Sequence, residues 1–285
     1  MTPIQTLRAT NPGPFTGTGT NTYLLGRDAL VIVDPGPDLP AHLHAIQTAR
    51  AGRPVAAILV THAHLDHSAL APHLSRLTKA PILAFGAATA GFSPLMQSLA
   101  AEGLTGGEGS DMAFAPDLTL TDGQVLRLAD LELHVIHTPG HMANHISLAL
   151  GDTLLSGDHV MGWSTSIVSP PEGDMGAYMA SLRKLQDRSW QRFLPGHGDP
   201  VEAPTARLSD LIAHRQNREG QIIACLASLG PSTPEDLARR IYITTPPALL
   251  PAATRNVLAH LIDLQARAVV TSEPGPLAQT RFRIT

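Results

Sequence analysis

The segment Thr61-His62-Ala63-His64-Leu65-Asp66-His67 constrains this chain more than any other, because three histidines and an aspartate fall within six residues directly behind an apolar run. That run, Val55-Ala56-Ala57-Ile58-Leu59-Val60, has the length and aliphatic character of a buried strand. In extended backbone His62 and His64 project to the same face. Asp66 and His67 lie where the chain turns into the next helix and can serve a second centre. Four such donors this close repel one another and lose hydration unless a cation collects them. A polar helix-capping loop with Asp66 as N-cap would explain Asp66 and leave three histidines without a role. The segment therefore reads as a metal site delivered by a strand.

Three further segments are of the same kind. His137-Thr138-Pro139-Gly140-His141 turns sharply behind a strand, Ser156-Gly157-Asp158-His159 ends a strand pair, and Leu194-Pro195-Gly196-His197-Gly198-Asp199 ends another. Each puts a candidate ligand in a glycine-containing turn, where backbone can approach a small buried ion. One such turn would be weak evidence; four in this order are strong.

The surrounding pattern is mixed α/β. Residues 21–26 and 29–34 read as a hairpin turning at Gly26-Arg27-Asp28, followed by a helix over 41–51. A helix over 66–78 and a strand over 81–84 follow. The Gly/Ala/Ser-rich stretch 86–116 carries a helix near 93–102 and is long enough to wall one side of a site. Strands at 124–128, 132–137, 145–150 and 152–156 have short connections, so they meander antiparallel within a mixed sheet. A helix over 174–187 and a strand over 190–194 complete this half. Beyond Pro204 the texture is helical: 205–228, a helix opened by Ser232-Thr233-Pro234-Glu235, and a third over 251–266. Val269–Thr271 and Arg281–Ile284 can pair across Gly275. Three helices and a β-wing give two units, 1–204 and 205–285, the second ordered as a winged helix.

With 285 residues, the chain can bury one large α/β core plus a small second unit. A net charge of −4 disfavours a general nucleic-acid binder. The single cysteine, Cys225, excludes an internal disulfide and suits a reducing compartment. Met1 to Arg8 lacks the pattern of a secretion signal, and no apolar run approaches transmembrane length. The expectation is a cytoplasmic protein without a membrane partner.

Taken together, His-x-His-x-Asp-His, then His141, Asp158 and His197, resemble the metallo-β-lactamase superfamily over roughly residues 15–200. The resemblance implies an αββα sandwich with a dinuclear site on one edge. His62, His64 and His141 would hold the first metal, Asp66, His67 and His197 the second, and Asp158 would bridge them. Thr20-Asn21-Thr22-Tyr23-Leu24-Leu25, Asp34-Pro35-Gly36-Pro37, Gly157-Asp158-His159-Val160-Met161-Gly162-Trp163-Ser164 and Pro171-Glu172-Gly173-Asp174-Met175 look like its β-lactamase-like protein 2 subgroup. So does the tail, whose winged helix begins near Arg215-Gln216. One departure is Asn144, where the pattern leads one to expect an acidic residue.

Histidine and carboxylate without cysteine suit two Zn²⁺ ions and tolerate Mn or Fe. Such a pair generates hydroxide at neutral pH for attack on an ester or thioester, with Asp66 orienting the nucleophile. The alternative is a single-strand-specific endoribonuclease using the same metals, since the subgroup includes RNA-cleaving members. For it speaks the tail beyond Pro204, with nine arginines against six acidic residues; against it, that tail has no lysine. A winged-helix DNA-binding regulator with a dead hydrolase fold is disfavoured by the complete ligand set. Asn21, His145, His159 and Trp163 are candidates to orient ligands or meet substrate, with Trp163 covering the pocket. His42, His44, His73, His214 and His260 read as surface or partly buried helix positions, and His134 as solvent-facing. Oligomeric state is left open.

Overall fold

The computed structural model describes residues 3–107 and 109–285; Met1, Thr2 and Glu108 lie outside the described residues, so the reading of the extreme N-terminus is not addressed by it. Strands β1 (Ile4–Arg8), β2 (Asn21–Leu25), β3 (Leu30–Val33), β4 (Val55–Leu59), β5 (Ile82–Ala84) and β6 (Leu118–Thr119) form one sheet in chain order. The first three are antiparallel and the rest parallel. The second sheet comprises β7 (Val125–Leu128), β8 (Leu131–His137), β9 (Ile146–Leu150), β10 (Thr153–Gly157) and β11 (Arg192–Pro195). It is an antiparallel meander closed by the parallel pair β10–β11, as the short connections imply.

Alternation along the strands builds the layers. Tyr23, Leu25, Val31, Val33, Ala57, Leu59 and Leu83 of the first sheet interdigitate with Leu126, Leu133, Val135, Ile146, Leu148, Leu155 and Leu194 of the second. The intervening residues Leu24, Ile32, Ile58 and Ile82 face outward, against the helices α1 (Pro40–Arg50) and α3 (Ala71–Thr78). Both faces are covered, so β3 and β4 are apolar throughout. The outer face of the second sheet carries Ala149, Leu154 and Phe193 against α5 (Met175–Gln186) and the first turns of α6 (Pro204–Leu229).

Further along, α6 enters another core with α7 (Pro234–Ile241), α8 (Leu250–Ala266) and the wing β12 (Val270–Ser272)–β13 (Phe282–Ile284). Met96 and Leu99 of α4 (Pro94–Ala101) join that core, so the Gly/Ala/Ser-rich stretch reaches the C-terminal unit. A cleft of about 800 Å³ lies between them, lined by Leu99, Leu104, Leu250, Leu258 and Leu277 among others. Among the described residues no helix is long and apolar enough to cross a membrane.

Several local expectations need correction. The helix read over 66–78 is two pieces, α2 (Leu65–Ser68) and α3, because Pro72 has no N–H to continue the ladder. The Leu70 N–H turns instead to the Gly36 carbonyl, at 3.1 Å. Within the Ser232-Thr233-Pro234-Glu235 signal the cap of α7 is Thr233, in a reciprocal capping box with Asp236. The strands β1 and β6 carry no strong alternation, and the sequence reading does not contain them. His42 and His260 are buried, where surface or partly buried helix positions are expected; the ring of His42 meets Thr22 Oγ1 at 2.8 Å.

One glycine fixes how α5 meets the site. Gly140 has φ 144, and a Cβ there would fall 2.3 Å from Tyr178 Cα and 2.6 Å from Tyr178 N. Backbone cannot yield as a side-chain tip can. Gly140→Ala should therefore lower folding stability by about 1–3 kcal/mol, read as a reduced urea midpoint. An unchanged midpoint would show that α5 does not press on this turn.

Candidate metal centre

The candidate ligands leave the strands at one edge of the sandwich, beyond the carboxyl ends of parallel strands. His62 to His67 follow β4, Asp158 follows β10 and His197 follows β11, while His141 sits in the β8–β9 turn. All seven converge in three overlapping groups able to hold a metal ion. These are His62, His64 and His141; His62, His67 and Asp158; and Asp66, His67 and His197.

Ring nitrogens face each other across the centre. His64 Nδ1 lies 2.9 Å from His62 Nε2 and 3.0 Å from His141 Nε2. His67 Nε2 lies 3.3 Å from His197 Nε2. His197 Nε2 is 3.2 Å from both Asp66 Oδ2 and Asp158 Oδ2. His64 makes a three-way encounter of lone pairs that a single proton cannot satisfy. Asp158 Oδ1 is buried without a hydrogen-bond partner among the described residues. Converging nitrogens and an orphaned carboxylate oxygen fit a cation site.

The opposite ring atoms are pinned from behind. Asp34 is central: its Oδ1 accepts the Thr61 N–H at 2.7 Å, and its Oδ2 accepts the Thr61 hydroxyl at 2.8 Å. The same Oδ2 lies 3.0 Å from His67 Nδ1. Thr61 Oγ1 in turn meets His62 Nδ1 at 2.9 Å. His197 Nδ1 faces the Gly19 carbonyl at 3.2 Å, and His141 Nδ1 faces the Ile167 carbonyl at 2.6 Å. Such partners fix ring orientation and tautomer.

Charge divides the centre in two. Burial holds His62 and His141 below the usual imidazole range and His64 down to about 3. Burial opposes charge on His67 and His197 as well, but carboxylates outweigh it. Asp66, Asp158 and Asp34 raise His67 well above its ordinary value, and Asp158 with Asp66 raises His197 to about 9. Conversely, burial would raise Asp66 and Asp158, yet the neighbouring His67 and His197 hold both carboxyls below the ordinary range.

The remaining candidates occupy different places. Asn21 braces the turn behind His197, donating to the Pro195 and Gly198 carbonyls at 3.0 and 2.8 Å. Tyr23, packed in the core, also donates to Pro195, at 2.7 Å. His145 Nε2 accepts the Asp158 N–H at 3.2 Å, and its Nδ1 meets Thr138 Oγ1 at 2.9 Å. His159 lies between His145 and Tyr178, with neither ring nitrogen partnered among the described residues. Trp163 is 45 % exposed and packs against Gly17 and Gly198, beside the His197 turn.

Asp66 caps nothing; the cap position of α2 is His64, and Asp66 Oδ2 accepts from Thr20 Oγ1 at 2.9 Å. Asn144 accepts the Ala63 N–H at 3.4 Å and donates to the Gly86 carbonyl at 3.2 Å. A carboxylate could not make the second bond, which accounts for an amide here. Sequence reasoning passed over Asp34, Thr61 and Thr20. The Asp34-Pro35-Gly36-Pro37 run enters the sequence reading as a motif of the resembled subgroup with no role for its carboxylate, although an aspartate ending a strand ahead of the histidine strand was the available signal.

Asp34→Asn should keep the fold but weaken metal binding by about 10- to 100-fold, measured by competition with a chromogenic chelator. Unaltered affinity would mean that the His67 ring is held by packing alone.

Residues 15–197 match the model of the metallo-beta-lactamase superfamily, and residues 233–276 match the beta-lactamase associated winged helix domain. A beta-lactamase-like protein 2 homolog of Drosophila melanogaster is 33% identical over 266 residues, covering 90% of this chain and 85% of that protein. An atrochrysone carboxyl ACP thioesterase of Aspergillus fumigatus is 30% identical over 231 residues, 77% of this chain and 63% of that protein. A crystal structure of a metallo-beta-lactamase family protein from Thermus thermophilus superposes with a TM-score of 0.79 over 99% of this chain and 98% of that one. Its 24% identity speaks to the fold alone. The chain belongs to the metallo-beta-lactamase superfamily, as a metal-dependent hydrolase carrying the superfamily-associated winged helix.

Proposed function

We propose that this hydrolase carries two metal ions and cleaves an ester or thioester of a small-molecule substrate. The observation behind the reading is the convergence of seven donors in three overlapping groups, linked through His62 and His67, with Asp158 in the middle group. His62, His64 and His141 would hold one ion, Asp66, His67 and His197 the other, and Asp158 would touch both. Nitrogen and oxygen donors without sulfur suit Zn²⁺, with Mn or Fe tolerated. The bound pair would supply Lewis acidity and a water whose pKa is near 7 in place of 15.7.

The chain's own groups would do the rest. Asp66 is the most exposed of the carboxylates in the centre, its side chain 28% accessible. Thr20 fixes one of its oxygens, leaving it placed to orient an attacking water and pass a proton toward the leaving group. Asn21 and Tyr23 hold the His197 turn, and His145 holds the Asp158 backbone.

An acyl substrate is favoured over a phosphodiester by the cations. Arg239 is engaged by Glu235 at 2.6 Å, and Arg255 donates to the Thr105 carbonyl at 2.8 Å and to Ser169 Oγ at 3.2 Å. The net charge of −4 also works against a phosphate backbone. A thioesterase among the relatives points the same way. A single-strand-specific endoribonuclease stays as the second reading, on the arginine surplus of the tail. We place the unit boundary at the start of α6, giving 1–204 and 205–285, and the protein in the cytoplasm because its one cysteine, Cys225, is free.

Purified protein should contain close to two transition-metal ions per chain by elemental analysis. Chelation should abolish hydrolysis, and Zn²⁺ or Mn²⁺ should restore it. Fewer than one ion after metal-replete expression would remove the two-metal assignment. In parallel assays, an acyl thioester and ester panel should be turned over faster than labelled single-stranded RNA. Asp66→Ala should cut that turnover by about 10²- to 10⁴-fold. Asp66-dependent RNA cleavage without acyl hydrolysis would transfer the function to the second reading.

A further inference from the structure

Arg215, in α6, is the bulkiest of the fully buried side chains. Its partners among the described residues are uncharged. Nη2 donates to the Ser166 carbonyl, Nη1 donates to Asn256 Oδ1 at 3.3 Å, and the guanidinium carbon lies 5.1 Å from the Tyr178 ring centroid. A buried cation without a counter-ion is costly, and a well-packed apolar residue would serve stability at least as well. What the guanidinium adds is directed hydrogen bonding.

Its bonds converge on one strap, residues 164–170, between Asp158 and α5. Asn256, in α8, accepts from Arg215 and also from the Val168 N–H at 3.1 Å through the same Oδ1. The C-terminal helices thus grip the strap on both sides of Ile167. From the gripped strap, Ser166 Oγ donates to the Asp158 carbonyl and to the His159 carbonyl, the latter at 3.0 Å. Ile167 offers its carbonyl to His141 Nδ1 at 2.6 Å, which turns Nε2 of that ring toward His64. Tyr178, under the guanidinium, donates to the His159 carbonyl at 3.2 Å.

We propose that Arg215 and Asn256 are positioning residues of the metal centre. Through the 166–168 strap, they set the His141 ring and the Asp158 backbone from the C-terminal side. The inference rests on the reading that His141 and Asp158 hold metal. It gives the helices beyond Pro204 a task at the metal centre itself.

The test uses the full chain. Zn²⁺ affinity is measured by competition with a chromogenic chelator at neutral pH, metal content by elemental analysis, and stability by thermal melting. Arg215→Met and Asn256→Ala should each weaken Zn²⁺ binding by about 10- to 100-fold. Arg215→Lys, able to reach the Ser166 carbonyl with a single ammonium, should recover part of that loss. Leu237→Ala serves as the control for general loosening, because Leu237 is buried in the C-terminal core away from the strap. It should lower the melting temperature and leave Zn²⁺ affinity within about twofold of wild type. Wild-type affinity in folded Arg215→Met and Asn256→Ala would overturn the proposal, as would an equal affinity loss in Leu237→Ala. If Arg215→Met does not fold, Asn256→Ala and Arg215→Lys decide alone. Asp158→Asn tests the underlying reading: full metal content in that variant would refute it. Loss there with unaltered Arg215→Met would refute only the positioning role.

Discussion

The buried carboxylate of Asp34 is the contact on which the centre depends. It stands at the end of β3, and the parallel neighbour β4 delivers Thr61, His62 and His64 beside it. Its two oxygens capture the Thr61 amide, the Thr61 hydroxyl and the His67 ring. One residue thus ties the exit of the histidine strand to the start of α2. It also fixes two imidazoles, His67 directly and His62 through Thr61. Asp34 adopts left-handed backbone, φ 49, which costs a non-glycine residue energy and persists only when its surroundings over-determine it. Here three hydrogen bonds do so.

Around this point the candidate metal donors compensate one another only in part. Carboxylates sit nearer one half of the cluster, so His67 and His197 are drawn toward the charged form while His62, His64 and His141 are kept neutral by burial. That asymmetry follows from which turns carry aspartate. Asp66 and Asp158 both lie within 3.2 Å of His197, whereas the nearest carboxylate to His141 is Asp158, at 3.8 Å.

Much of this was legible in the sequence where chemistry is local. The His-x-His-x-Asp-His segment, the glycine turns and the meander each rest on neighbours in the chain, and the two-residue spacing of His62 and His64 alone places their rings together. What escaped the reading is non-local. Asp34 is 27 residues from Thr61, and nothing in either segment says that they meet. The burial of His42 and His260 could not be read from helical periodicity, because it is set by tertiary neighbours such as Thr22 against His42. The split at Pro72 was readable, yet the continuing apolar pattern masked it. Asn144 looked like a defect because only its distance from Gly86 in space, not in sequence, explains an amide.

α6 belongs to two cores at once: Leu208 and Leu211 pack with α5 and the second sheet, Ile222 and Leu226 with the winged helix. A helix shared in this way leaves no flexible seam at which one unit could be exchanged for another. The C-terminal unit is therefore not an interchangeable accessory. Variation that rebuilds the wing or α7 can accumulate freely, whereas insertions or deletions within α6 would rotate one core against the other by about 100° per residue. Lineages carrying this tail would be expected to hold the length of that one helix far more strictly than the lengths of the loops around it.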